Sequence, residues 1–194
     1  EKLAREQRFE LISLTKSACP GAAVTKVDTG EYKNSDCFAW RDYAYKRIKS
    51  INPDAVLVSG FQHFEVPSQY SSRESWWREG QVKTYNSLRG TSPRIIYISD
   101  TPHPNRDIPS CIASGSLDRC NGSERSTPIF SPGFLKINPT SWLCERNCPG
   151  VIDGVVAYRD ASHLSVDMAR ALSPNLLQAL RNLGALGKSS DERK

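Results

Sequence analysis

Near the C-terminal end of this 194-residue chain, Asp160 and His163 stand three residues apart within Val155-Val156-Ala157-Tyr158-Arg159-Asp160-Ala161-Ser162-His163-Leu164-Ser165. A carboxylate so close to an imidazole can accept its Nδ1 proton and fix the tautomer, leaving Nε2 to take a proton from a nucleophile. The pair would then act as a general base and its orienter. Residues 155–158 read as a short buried strand, and a helical pattern starts near Leu164, so both side chains fall on the connecting turn. Ligands of open α/β sheets gather outside the carboxyl ends of the strands, where such turns converge. The competing reading is structural: Asp160 caps the last helix and His163 lies exposed in its first turn.

The elements that must position this pair alternate along the chain. Residues 1–7 read as the tail of a helix and 9–15 (FELISLT) as an alternating strand. A helix over 35–51 carries Cys37, Trp40, Ala44, Ile48 and Ile51 on one stripe, and Asn52-Pro53 ends it. The apolar run 55–59 is a strand of the kind buried on both faces. Ser72 or Ser75 caps a helix ending near Arg89-Gly90, with Trp77, Val82, Tyr85 and Leu88 inward and the Trp76-Trp77 pair in the core. Residues 94–98 form the next strand, 100–119 a polar, proline-rich loop, and 134–137 a weaker strand. Residues 164–171 and a helix beginning at Ser173-Pro174 complete the order, while the charged 187–194 segment reads as a disordered tail. This alternation implies one α/β domain over 1–186 with a mainly parallel sheet between helix layers. Residues 121–133 lack a helical pattern for the crossover that parallel neighbours require.

Composition narrows the classes. The chain is 38% hydrophobic, enough for one core, and no apolar run is long enough to cross a membrane. The net charge of +5 is spread without a nucleic-acid motif. No nucleic-acid partner is therefore expected. The six cysteines fall as local pairs: Cys19 with Cys37, Cys111 with Cys120, and Cys144 with Cys148. That arrangement fits disulfides in an oxidising compartment, with a zinc site and free thiols as the alternatives. With three histidines and no Cys-x-x-Cys, no metal is expected, and no organic cofactor is implied. His63 and His103 fall in loops, where surface or glycan-contact roles are expected ahead of a ligand role.

Taken in order, several short blocks together resemble the SGNH hydrolase-like domain attached to acyltransferase-3 membrane proteins. They are Leu14 to Pro20 (LTKSACP), Asp36-Cys37 with Trp40-Arg41, the strand from Asp54 to Ser59, and Ser99-Asp100-Thr101-Pro102. Asn138-Pro139-Thr140-Ser141-Trp142-Leu143-Cys144, Cys148-Pro149 and Tyr158-Arg159-Asp160 with His163-Leu164-Ser165 follow. The resemblance implies an SGNH (flavodoxin-like) three-layer fold, read here as truncated at its N-terminal strand. Asp160 and His163 match the family's Asp-x-x-His block, whereas the Gly-Asp-Ser block that carries its nucleophile does not occur in these residues. The family pattern puts oxyanion donors near Ser17 and Gly60; lacking a side-chain amide, Gly60 could offer only its N–H, with Gln62 as the nearby substitute. The implied activity is Ser-His-Asp transfer of acetyl or related acyl groups to hydroxyls of envelope glycans. The donor would come through a membrane acyltransferase domain to a monomeric, extracytoplasmic, membrane-tethered domain. A catalytically silent glycan-binding or scaffolding domain, or a stand-alone secreted carbohydrate esterase, is the alternative.

Overall fold

A computed structural model describes residues 1–28, 33–115, 117–122, 127–145 and 147–186. The segment expected to be a disordered tail, 187–194, lies outside the described residues, as do 123–126 of the 121–133 connection. The order is α1 (Lys2–Gln7), α2 (Asn34–Ile51), β1 (Val56–Val58), α3 (Arg73–Leu88), β2 (Ile95–Ile98), α4 (Ile108–Ala113), a 3-10 turn (Leu117–Arg119) and β3 (Leu135–Ile137). Then come α5 (Thr140–Leu143), β4 (Val151–Ile152), β5 (Val155–Val156), α6 (Val166–Ala171) and α7 (Ser173–Asn182).

Three strands, ordered β1-β2-β3, pair in parallel, with Val58 opposite Tyr97 and Ile98 opposite Ile137. Because side chains alternate along a strand, Val56, Val58, Ile95 and Tyr97 share one face. There they pack with Leu88 and Tyr85 of α3 and with Tyr45 and Ile48 of α2. Ile96, Ile98 and Ile137 turn to the other face, where Leu176, Ala179 and Leu180 of α7 cover them. The result is the expected three-layer α/β arrangement. Ser72 caps α3 by accepting a hydrogen bond from the Ser75 N–H. Trp76 and Trp77 are fully buried, their indole N–H groups donating to the Thr25 carbonyl and the Tyr97 hydroxyl.

Several expectations need correction. The alternating segment 9–15 pairs with no strand among the described residues, and Leu11 and Ile12 are exposed. Alternation stabilises a strand only where one face is covered and its backbone groups are paired, and neither holds here. Leu57 is 45% exposed, so β1 is buried on one face only: α7 covers Ile96 beside it and stops short. Val82 is likewise exposed, on the outer side of α3. Residues 100–119 are more than a loop, since α4 lies within them with Asp107 as N-cap and Pro109 in its first turn. α4 supplies helical structure to the β2–β3 crossover. Finally, Val155 and Val156 form no part of the parallel sheet: β5 pairs antiparallel with β4 across Asp153-Gly154. Asp153 and Gly154 both take positive φ, the geometry a tight two-residue hairpin needs.

All three expected cysteine pairs are disulfides, and no cysteine is free.

Candidate active site

The Asp160–His163 loop stands on a well-packed base. Ala157 and Tyr158 are completely buried against Ile108, Leu143 and Met168. An antiparallel bridge between Tyr158 and Leu164 then closes the loop, the Arg159 N–H donating to the His163 carbonyl at 2.9 Å and the Ser165 N–H to that of Ala157 at 2.9 Å. Ser165, rather than Asp160, caps the following helix, accepting from the Met168 N–H at 3.0 Å. The capping alternative for Asp160 is thereby removed.

The Asp160 carboxylate instead organises its own loop. Its Oδ1 accepts from the N–H groups of Ser162 at 2.8 Å and His163 at 2.7 Å, a local side-chain-to-backbone turn of the kind aspartate favours. The same carboxylate holds the His163 ring, with Nδ1 at 2.8 Å from Oδ2 and 3.1 Å from Oδ1. Partial burial opposes ionisation of Asp160, but the two backbone N–H groups and the imidazole outweigh it and hold the carboxyl at about 2. Arg159 Nε adds a cation 3.6 Å from Oδ2. A carboxylate ionised at all ordinary pH values keeps Nδ1 as the protonated nitrogen. Among the described residues no protein group bonds Nε2, and the His163 side chain is 61% exposed, so a substrate can reach the ring. Ser162 Oγ lies 3.3 Å from Nδ1, the nitrogen already engaged by Asp160, and so on the wrong side of the ring to deliver a proton to Nε2.

The expected oxyanion residues belong to the loop before Gly21 and the loop leaving β1, which meet at Ser59 and Gly60. Ser17 is exposed in a turn that the Cys19 N–H closes onto the Lys16 carbonyl. The same loop reaches β1 through Gly21, whose N–H donates to the Ser59 carbonyl at 3.1 Å. Gly60 sits at this junction, and a Cβ on it would come within 2.9 Å of the Gly21 nitrogen and of Pro20 Cβ. Close approach of two backbones, rather than a positive φ, therefore requires glycine here. Gln62 is buried; its N–H donates to Asp100 Oδ2 at 2.9 Å and its amide nitrogen to the Thr127 carbonyl at 3.5 Å. Among the described residues no hydrogen bond or ion pair joins Ser17, Gly60 or Gln62 to Asp160 or His163. The loop leaving β2 does approach the pair: Asp107 at its end lies close enough to Asp160 to feel its charge.

Sequence reasoning missed a second group. His63 follows β1, Asp100 and His103 follow β2, and their ligand atoms all lie within 4.8 Å of one another. Asp100 and His103 have the same three-residue spacing as Asp160 and His163, but only adjacency of the two strands brings His63 to them.

The domain is thus a three-layer α/β unit with an aspartate-held histidine on a loop after its last strand. The family model described as "SGNH domain (fused to AT3 domains)" matches residues 1–178, and the chain belongs to that family. Among solved structures it is similar to the periplasmic domain of a lipopolysaccharide acetyltransferase from Salmonella ser. Paratyphi A. The TM-score is 0.65 at 15% identity, covering 91% of this chain and 76% of that one. No curated protein matches the chain.

Proposed function

We propose that this domain transfers acetyl or related acyl groups to hydroxyls of cell-envelope glycans, with His163 as proton carrier and Asp160 as its orienter. The observation that carries the reading is the 2.8 Å contact between His163 Nδ1 and Asp160 Oδ2 on a loop that leaves Nε2 open. Membership of a family fused to AT3 domains supports a membrane acyltransferase partner as donor, and an extracytoplasmic, membrane-tethered site of action. The solved lipopolysaccharide acetyltransferase domain of the same fold supports a glycan acceptor.

The chemistry is a two-step exchange. A serine outside residues 1–194 of the intact protein attacks the donor's acyl carbon, and its Oγ proton passes to His163 Nε2 as the carbon–oxygen bond forms. Collapse of the tetrahedral intermediate expels the donor's leaving group, which takes that proton. A glycan hydroxyl then attacks the acyl-serine and gives its proton to Nε2, and collapse returns the proton to serine while the ester stays on the sugar. Asp160 holds the ring and offsets the positive charge it gains in each half. Backbone N–H groups near Ser17 and Gly60 are the proposed stabilisers of the oxyanion, since the backbone N–H and the side-chain amide of Gln62 already donate to Asp100 and Thr127.

The test is turnover of p-nitrophenyl acetate by the intact membrane protein, in which water replaces the glycan. His163→Ala is expected to lower it by about a thousandfold or more, as loss of a catalytic histidine does elsewhere. Unchanged turnover would refute the role and favour a silent glycan-binding domain.

A further inference from the structure

We propose that His63, Asp100 and His103 form a binding site for one divalent transition-metal ion of the zinc class, bridging the loops that leave β1 and β2. Two imidazoles and a carboxylate are the borderline nitrogen and oxygen donors that zinc takes, and three protein ligands leave a position open for an oxygen ligand.

One pair of donor atoms stands at the spacing of two ligands around an ion, and all three lie within 4.8 Å of one another. His103 Nε2 lies 3.4 Å from Asp100 Oδ2. A charge-assisted hydrogen bond between them would draw the atoms to about 2.7–2.9 Å. Two donors each about 2.1 Å from a tetrahedral ion stand about 3.4 Å apart. His103 is only 6% exposed, and its Nε2 has no hydrogen-bond partner although it is buried. A buried polar atom left without a partner is uncommon and calls for an explanation. That atom lies beside a carboxylate which is itself oriented: Oδ2 accepts the Gln62 N–H at 2.9 Å and Oδ1 the Thr101 N–H at 2.9 Å. Outer partners of this kind hold a metal-binding carboxylate in place. The two imidazoles stack with centroids 4.1 Å apart and 27° between planes, and the Phe61 ring lies against both, 5.1 Å from His103 and 5.7 Å from His63. The donors are thus fixed on a wall of aromatic rings at the carboxyl ends of adjacent parallel strands, where this class of sheet binds its ligands.

Cobalt(II) is the probe, because a tetrahedral site gives it strong visible absorption that the hydrated ion lacks. The intact protein, stripped with chelator and titrated with cobalt, is expected to develop that absorption to saturation at one equivalent and lose it when zinc is added. His103→Gln and His63→Ala should each weaken binding by about a hundredfold or more, beyond the ten- to hundredfold typical of losing an outer partner. Should His103→Gln fail to fold, the less buried His63→Ala decides, with circular dichroism confirming its fold. Absence of saturable absorption in the wild type, or a signal that persists in folded His63→Ala, would overturn the site.

Discussion

Asp160 has two tasks, and both depend on its charge. Its carboxylate ties down the N–H groups of Ser162 and His163 and holds the imidazole, so folding lowers its pKa from about 3.9 to about 2. A group whose pKa is lower in the folded state stabilises the protein fully above the unfolded value, and that contribution disappears as pH falls through about 2. Carbon-13 NMR of the Asp160 carboxyl should show a midpoint close to 2; one near the unfolded value would mean that the loop contacts are absent in solution. Nitrogen-15 spectra of the His163 ring should show the neutral form protonated at Nδ1, and in Asp160→Asn that preference should be lost. This pair was legible in sequence because a spacing of three residues makes the contact local. Asp100 and His103 share that spacing, but their grouping with His63 was not legible, because α3 separates His63 from them along the chain and it meets them only through the pairing of β1 with β2.

At the scale of elements, a buried cation anchors the loop that meets Gly60. Arg41 on α2 is 4% exposed, and it donates from Nε to the Pro20 carbonyl at 3.3 Å and from Nη2 to that of Val24 at 3.2 Å. Arg41→Ala leaves those carbonyls without their partner and should destabilise the fold by about 1–3 kcal/mol, measured by urea unfolding. Faster hydrogen exchange at the Gly21 amide should accompany it, because the same loop holds that N–H against Ser59. Equal exchange in both proteins would show that Arg41 does not anchor the loop. The long helices and the strands near 55–59, 94–98 and 134–137 were readable because caps and apolar runs are local signals. The Asp107 cap with Pro109 was an equally local signal for α4, obscured by the prolines and polar residues around it. The segments at 9–15 and 155–158 misled for a different reason. Both carry strand-forming residues, but whether such a run joins the parallel sheet depends on which neighbour covers it, and that is a tertiary property.

Across the whole molecule, a short parallel sheet between helix layers is reinforced by three cross-links that close loops of 18, 9 and 4 residues in sequence separation. The longest, Cys19–Cys37, joins the loop before Gly21 to α2, and closure of a loop of that length is worth about 3 kcal/mol in the chain-entropy account. The double variant Cys19→Ala, Cys37→Ala should lose about that much in chemical unfolding, and no loss would show that the bridge constrains little. Such cross-links suit the oxidising compartment in which an envelope-modifying enzyme would work. The central claim is that His163 carries the proton during acyl transfer to a glycan. It is tested most directly by mass spectrometry of envelope glycans from cells whose only copy of the intact protein carries His163→Gln. Loss of the acyl groups that the wild type installs, with the protein present at wild-type level, is the result predicted; glycans acylated as in the wild type would contradict it.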